Sequence, residues 1–89
     1  GFDIKVLATP GHTPGGVCYY IEKENVLFSG DTLFCNSVGR TDFPRGSSEA
    51  LINGIKEKLM TLDDKVIVLT GHDARTTIGE ERIHNPYIY

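Results

Sequence analysis

Apolar positions along the chain fall into four short runs and one longer, more widely spaced series. Val17-Cys18-Tyr19-Tyr20-Ile21 and Val26-Leu27-Phe28 flank the polar stretch Lys23-Glu24-Asn25. Both runs are rich in β-branched and aromatic residues, so the pattern predicts two strands paired as a hairpin. Asp3 to Ala8 alternates at first and ends apolar, which predicts a strand with a buried inner end. It opens at the first residues, as a chain starting in the middle of a sheet would. Lys65-Val66-Ile67-Val68-Leu69 is apolar enough for a strand covered on both faces. Between these runs, Leu51, Ile52, Ile55, Leu59 and Leu62 recur at three- and four-residue steps. That spacing predicts an amphipathic helix from about Ser48 to Leu62, capped by Ser47 or Ser48. Thr77-Ile78-Gly79-Glu80 has capping-box spacing and starts a second, short helix that Pro86 ends. Helices covering mixed strands give an α/β layered fold in one domain, residues 1–89.

The segments between the runs carry the chemistry. Pro10 to Gly16 holds two prolines and three glycines, a rigid loop that excludes helix. Cys35 to Gly46 reads as a loop of about a dozen residues, long enough to suggest a functional role. Phe28-Ser29-Gly30-Asp31-Thr32-Leu33-Phe34 is the organising stretch: a strand end, a small pair, an acid, then Leu33 and Phe34 returning to the core. Gly30 serves either a sharp turn or a close approach by another group. Thr9-Pro10-Gly11-His12 and Leu69-Thr70-Gly71-His72 repeat the arrangement with histidine. Three strand-like runs therefore end in a glycine followed by a potential metal ligand: His12, Asp31 and His72. Imidazole nitrogen and carboxylate oxygen are the donor types of zinc and iron sites.

Composition narrows the function classes. A formal net charge of -3 and a pI near 5.5 leave no basic footprint for nucleic acid. No apolar run approaches membrane-spanning length, and no signal-peptide pattern opens the chain. Cys18, inside an apolar run, reads as a buried free thiol of a reducing cytoplasm rather than as half of a disulfide with Cys35. Tyr19 and Tyr20 point to opposite faces of a strand, one core and one surface. Arg40 and Asp42 read as loop-fixing rather than catalytic, His84 as a surface residue, and Asp73 as facing solvent. Thr77 and Glu80 are a helix cap without chemistry, and Tyr87-Ile88-Tyr89 is an apolar tail.

Thr9-Pro10-Gly11-His12-Thr13-Pro14-Gly15, Ser29-Gly30-Asp31-Thr32-Leu33-Phe34, Gly39-Arg40-Thr41-Asp42-Phe43 and Thr76-Thr77-Ile78-Gly79-Glu80 with Asn85-Pro86 together resemble the metallo-β-lactamase superfamily. Within it they are most similar to glyoxalase II-like hydrolases, the hydroxyacylglutathione hydrolase group. The resemblance runs over nearly the whole chain and corresponds to the C-terminal half of that family's αββα sandwich. It implies that His12 completes a first metal site, that Asp31 bridges two metals, and that His72 serves the second site. It also implies two zinc ions in the intact fold, with iron or manganese as alternatives. The substrate it implies is a small-molecule thioester of the acyl-glutathione type, attacked by a metal-bound hydroxide. Two departures stand out. The family's His-x-His-x-Asp-His segment is absent, and Thr70-Gly71-His72-Asp73-Ala74 stands where the family usually has Pro-Gly-His-Gly-Pro. The expectation is thus a fragment that is inactive alone and completed by an N-terminal half or by self-association. A degenerate, non-enzymatic half-domain and a persulfide dioxygenase-like iron protein are the alternatives.

Overall fold

A computed structural model describes residues 3–13, 15–35, 37–39, 41, 46–71 and 75–88. In chain order the strands are β1 (Lys5–Ala8), β2 (Val17–Ile21), β3 (Val26–Gly30), β4 (Leu33–Phe34) and β5 (Ser37–Val38). Helix α1 (Ser48–Gly54), β6 (Ile67–Thr70), β7 (Arg75–Thr77) and helix α2 (Ile78–His84) follow. The main sheet has the order β1-β2-β3-β6-β7, and β4 pairs with β5 as a separate small hairpin. Lys5 lies opposite Tyr20 and Tyr19 opposite Phe28, both in antiparallel pairs, whereas Val26 lies opposite Ile67 in a parallel one. Hence β1, β3 and β6 run in one direction, and their C-terminal ends reach the same edge of the sheet.

The expected β2–β3 hairpin is formed through a short 3₁₀ turn at Glu22–Glu24, closed by Asn25 in the left-handed region at φ 53°. Alternation then sorts the side chains by face. Cys18, Tyr20, Leu27 and Val68 enter the core, joined by Leu33, Leu51, Ile55, Leu59, Val66 and Ile78. Each fully buried leucine or isoleucine contributes about 1.5–3 kcal/mol of transfer free energy. Tyr19 takes the opposite face and is exposed, as the alternation requires. Cys18 is a buried free thiol and Cys35 an exposed one. Among the described residues no helix is long and apolar enough to cross a membrane.

Five sequence expectations need correction. The inner end of β1 is not buried: Val6 and Ala8 are exposed and Leu7 is half-buried, because Val6 and Ala8 point to the face of the sheet that carries the exposed Tyr19 and Phe28. The Cys35–Gly46 loop begins with a strand, β5, whose Val38 pairs with Leu33. The Lys65–Leu69 run is not covered on both faces: its strand is Ile67–Thr70, in which Val68 is buried but Ile67 and Leu69 are only half-buried. Beside it Arg75–Thr77 adds an antiparallel strand, too short and polar to show periodicity. The long helix is also shorter than its apolar spacing predicts. Ser47 caps it, accepting from the Ala50 amide at 3.2 Å, but after Gly54 it widens into a π-turn at Ile55–Leu59 and ends. Arg82 of α2 donates to the carbonyls of Met60 at 2.6 Å and Leu62 at 2.9 Å, which satisfies the helix end there. The same guanidinium pairs with Asp64.

Helix α2 starts as its capping box requires, with the Thr77 hydroxyl accepting from the Glu80 amide at 3.1 Å. His84 is exposed and lies 3.7 Å from Glu80 one turn earlier. The apolar tail docks through Ile88, which is buried, while Tyr87 stays exposed.

Candidate metal centre

The segments that carry His12 and Asp31 are each fixed by their own backbone. The loop after β1 closes on itself: the Thr9 amide donates to the Gly16 carbonyl at 2.9 Å, and the Gly16 amide to that of Thr13 at 3.2 Å. Gly11, at φ 143°, lies against the start of α1, where a Cβ would overlap Leu51, and its carbonyl accepts from the Ser47 amide at 2.8 Å. A non-glycine residue would fail there on both conformation and space. The residue before His12 is thereby anchored to the helix start.

Asp31 follows the last residue of β3. Gly30 adopts φ 52° with open space around its Cα, so it serves the turn rather than a close approach. The turn closes with the Thr32 amide donating to the Ser29 carbonyl at 2.9 Å. Close approach is instead the task of Gly39 and Gly71. A Cβ on Gly39 would overlap the Asp31 carbonyl and come within 3.4 Å of the His12 Cβ. A Cβ on Gly71 would lie 3.2 Å from Asp31 Oδ1, and the Gly71 amide donates to the Gly30 carbonyl at 2.9 Å.

The outcome is that His12 Nε2 and Asp31 Oδ2 stand 3.7 Å apart, the imidazole mostly covered and the carboxylate half-exposed. That is longer than a hydrogen bond. It is close to the roughly 3.4 Å that separates two donors sharing one tetrahedral ion through bonds near 2 Å. One nitrogen and one carboxylate oxygen at this spacing fit a zinc or iron ion in chemistry and geometry. His72, the third residue singled out in the sequence, lies outside the described residues, as do Asp73, Arg40 and Asp42. Gly71 nonetheless brings the end of β6 against Asp31. Among the described residues no group of three or more His, Cys, Asp or Glu side chains converges.

Beneath the pair lies a buried polar cluster to which the sequence reading assigned no role. Thr9 and Thr32, which precede the His12 loop and follow Asp31, share a hydrogen bond of 3.1 Å between their hydroxyls. Thr9 also contacts the Cys18 sulfur at 3.4 Å, and the Ser29 hydroxyl donates to the Leu33 carbonyl at 2.7 Å. Thr9 and Ser29 are fully buried, so this cluster ties the histidine loop to the aspartate turn from below. Its sequence signal is a threonine beside each of the two glycine motifs that carry His12 and Asp31. Burial pushes the Cys18 thiol up from its ordinary value of 9.0, partly offset by hydrogen bonds from Thr9 and Thr32.

The chain is similar to known proteins in sequence and in fold. The family model of the metallo-beta-lactamase superfamily matches residues 1–72. The chain is 47% identical over 88 residues to hydroxyacylglutathione hydrolase GloC of Haemophilus influenzae, covering 99% of this chain and 42% of the relative. Among solved structures, BLEG-1 B3 metallo-beta-lactamase superposes with a TM-score of 0.93 at 49% identity, over 98% of this chain and 42% of that one. TTHA1623, in a di-iron-bound form, superposes with a TM-score of 0.90 at 40% identity, over 96% of this chain and 42% of that one. The chain thus spans about two-fifths of the length of the relatives it matches. By sequence and by fold, it belongs to the metallo-beta-lactamase superfamily.

Proposed function

We propose that this chain supplies part of the metal centre of a hydrolase acting on thioesters of the acyl-glutathione type, with His12, Asp31 and His72 as ligands. The observation that carries this reading is the 3.7 Å separation of His12 Nε2 and Asp31 Oδ2 at an edge where three co-directional strands end. The thioester assignment rests on the likeness to a hydroxyacylglutathione hydrolase, 47% identical over 88 residues. The di-iron form of one structural relative makes iron a candidate beside zinc and manganese.

A bound divalent ion would lower the pKa of its water to about 7 and supply hydroxide at neutral pH. The chain's own residues set the frame for it. His12 presents Nε2 from a loop held by Gly11, Leu51 and Ser47. Asp31 has two oxygens, and a carboxylate can span neighbouring cations where imidazole offers one nitrogen at a time. The Thr9–Thr32 hydrogen bond keeps the two loops at constant spacing. The half-exposed Asp31 leaves room for a substrate carbonyl on the solvent side.

The test is a Co²⁺ titration of the ¹⁵N-labelled chain, followed by broadening of the His12 imidazole and Asp31 amide signals. Selective, saturable broadening is expected, weakened roughly tenfold or more by His12→Ala and by Asp31→Asn, since even outer partners of ligands matter that much. Broadening indifferent to both substitutions would end the metal-site reading.

A further inference from the structure

A second buried polar network links helix α2 to the segment that passes the metal pair, and the mechanism above does not use it. Glu81 is 1% exposed and Asn85 is fully buried. A carboxylate at that depth is costly unless it is well provided with hydrogen bonds. Glu81 Oε2 accepts from the Thr76 hydroxyl at 2.7 Å, and Oε1 accepts from Asn85 Nδ2 at 2.9 Å. Asn85 Nδ2 also donates to the Ser37 carbonyl at 3.0 Å, while its Oδ1 accepts from the Tyr87 amide at 2.9 Å. The two hydrogens of that amide nitrogen are therefore divided between the Glu81 carboxylate and strand β5.

The connection runs on toward the metal pair. Ser37 opens β5, and Gly39, just beyond it, donates its amide to the Thr32 carbonyl at 3.0 Å. Gly39 is packed so closely against Asp31 and His12 that no Cβ fits. At the other end of the network, Thr76 lies on β7, which pairs with β6.

We infer that Glu81 and Asn85 are positioning residues: they hold the β4–β5 hairpin in place and so keep Gly39 pressed against the His12–Asp31 pair. Glu81 orients the Asn85 amide, and Asn85 holds the Ser37 carbonyl. Among the described residues, their hydrogen bonds run to Thr76, Ser37, Tyr87 and each other. The consequence for metal affinity rests on the reading of His12 and Asp31 as ligands; the consequence for the hairpin does not.

Asn85→Asp is the direct probe. It replaces the donor nitrogen with an oxygen facing the Ser37 carbonyl and the Glu81 carboxylate, while an oxygen remains for the Tyr87 amide. Adding Glu81→Gln restores a donor between positions 81 and 85 but leaves the Ser37 carbonyl without one. The readouts are thermal unfolding, site-resolved amide exchange and Co²⁺ binding at His12. In the double variant the melting temperature recovers toward the parent. Gly39 still exchanges faster by about tenfold, while Leu51 and Ile67, whose amides donate to Ser47 and Asn25, keep their protection. Co²⁺ affinity falls by about tenfold, the scale expected for an outer partner of a metal site.

Three results overturn the inference: Gly39 exchange unchanged, exchange at Gly39, Leu51 and Ile67 rising in step, or Gly39 protection returning together with the melting temperature. The first leaves the hairpin independent of Asn85, and the other two reduce the network to a global brace. If Asn85→Asp alone does not fold, the double variant decides the matter. A parent chain whose His12 ignores Co²⁺ sinks the metal reading instead, and the exchange pattern still decides the network.

Discussion

Among individual residues, Cys18 shows how a core position can be linked to the site without taking part in it. Its thiol is fully buried, contacts the Thr9 hydroxyl, and donates to the Ser29 carbonyl at 3.8 Å. Burial raises its pKa above the 9.0 of a free thiol, against a smaller lowering by Thr9 and Thr32. In the unfolded chain the thiol ionises near 9.0, whereas in the folded chain it stays protonated to higher pH. Stability is therefore unaffected below pH 9 and falls as pH rises from there through the folded-state value. Urea unfolding at pH 8 and at pH 10 should show that loss, and Cys18→Ala, though less stable throughout, should lose less between the two pH values. Equal losses in both proteins would remove Cys18 as the cause. The burial of Cys18 was legible in the sequence, because it lies in an apolar run. Its hydroxyl partners were not, because threonines at strand ends carry no periodic signal and only the tertiary fold brings positions 9, 18 and 32 together.

The secondary elements show where periodicity informs and where it stops. Strands β2, β3 and β6 and the two helices were legible from apolar spacing and caps, whereas β4–β5 and β7 are two or three residues long and leave no pattern. The end of α1 was hidden for a different reason. Apolar residues continue to Leu62, but the π-turn closes with the Met60 amide on the Ile55 carbonyl at 2.9 Å, and Arg82 takes the carbonyls beyond. The wider turn has a use. Leu51, Ile55 and Leu59 are spaced by four and fully buried, whereas a regular helix of about 3.6 residues per turn would carry such a row progressively around its axis. A carboxylate at position 55 would be buried without a partner, a cost that rivals the entire stability of an ordinary small protein, about 5–15 kcal/mol. Ile55→Asp should therefore abolish cooperative unfolding monitored by circular dichroism. Lys56→Asp, at an exposed position, should change stability by less than about 0.5 kcal/mol. Comparable effects from both substitutions would refute the packing of this turn on the sheet.

At the scale of the whole molecule, one face of the main sheet is open. Val6, Tyr19, Phe28 and Leu69 are neighbours in register across β1, β2, β3 and β6. The first three are 59%, 47% and 42% exposed, and Ile4 is exposed as well. A contiguous apolar row of this kind calls for a covering layer, and the chain matches only about two-fifths of its relatives' length. The proposed metal site, too, has few ligands to offer. A catalytic zinc ordinarily takes three protein ligands plus water. His12, Asp31 and His72 would give each of two ions only two, with Asp31 counted twice, or could close on a single ion as one weak site. Neither arrangement would hold a hydroxide firmly. The 89-residue chain with added Zn²⁺ is therefore expected to show no hydrolysis of an acyl-glutathione thioester above the metal-only background. Activity should appear when the chain replaces the matching segment of the Haemophilus influenzae relative, of which it covers 42%. Asp31→Ala in that chimera should reduce turnover to background. Thioester hydrolysis by the purified chain alone, lost on Asp31→Ala, would show that these residues suffice and that the open face serves some other purpose.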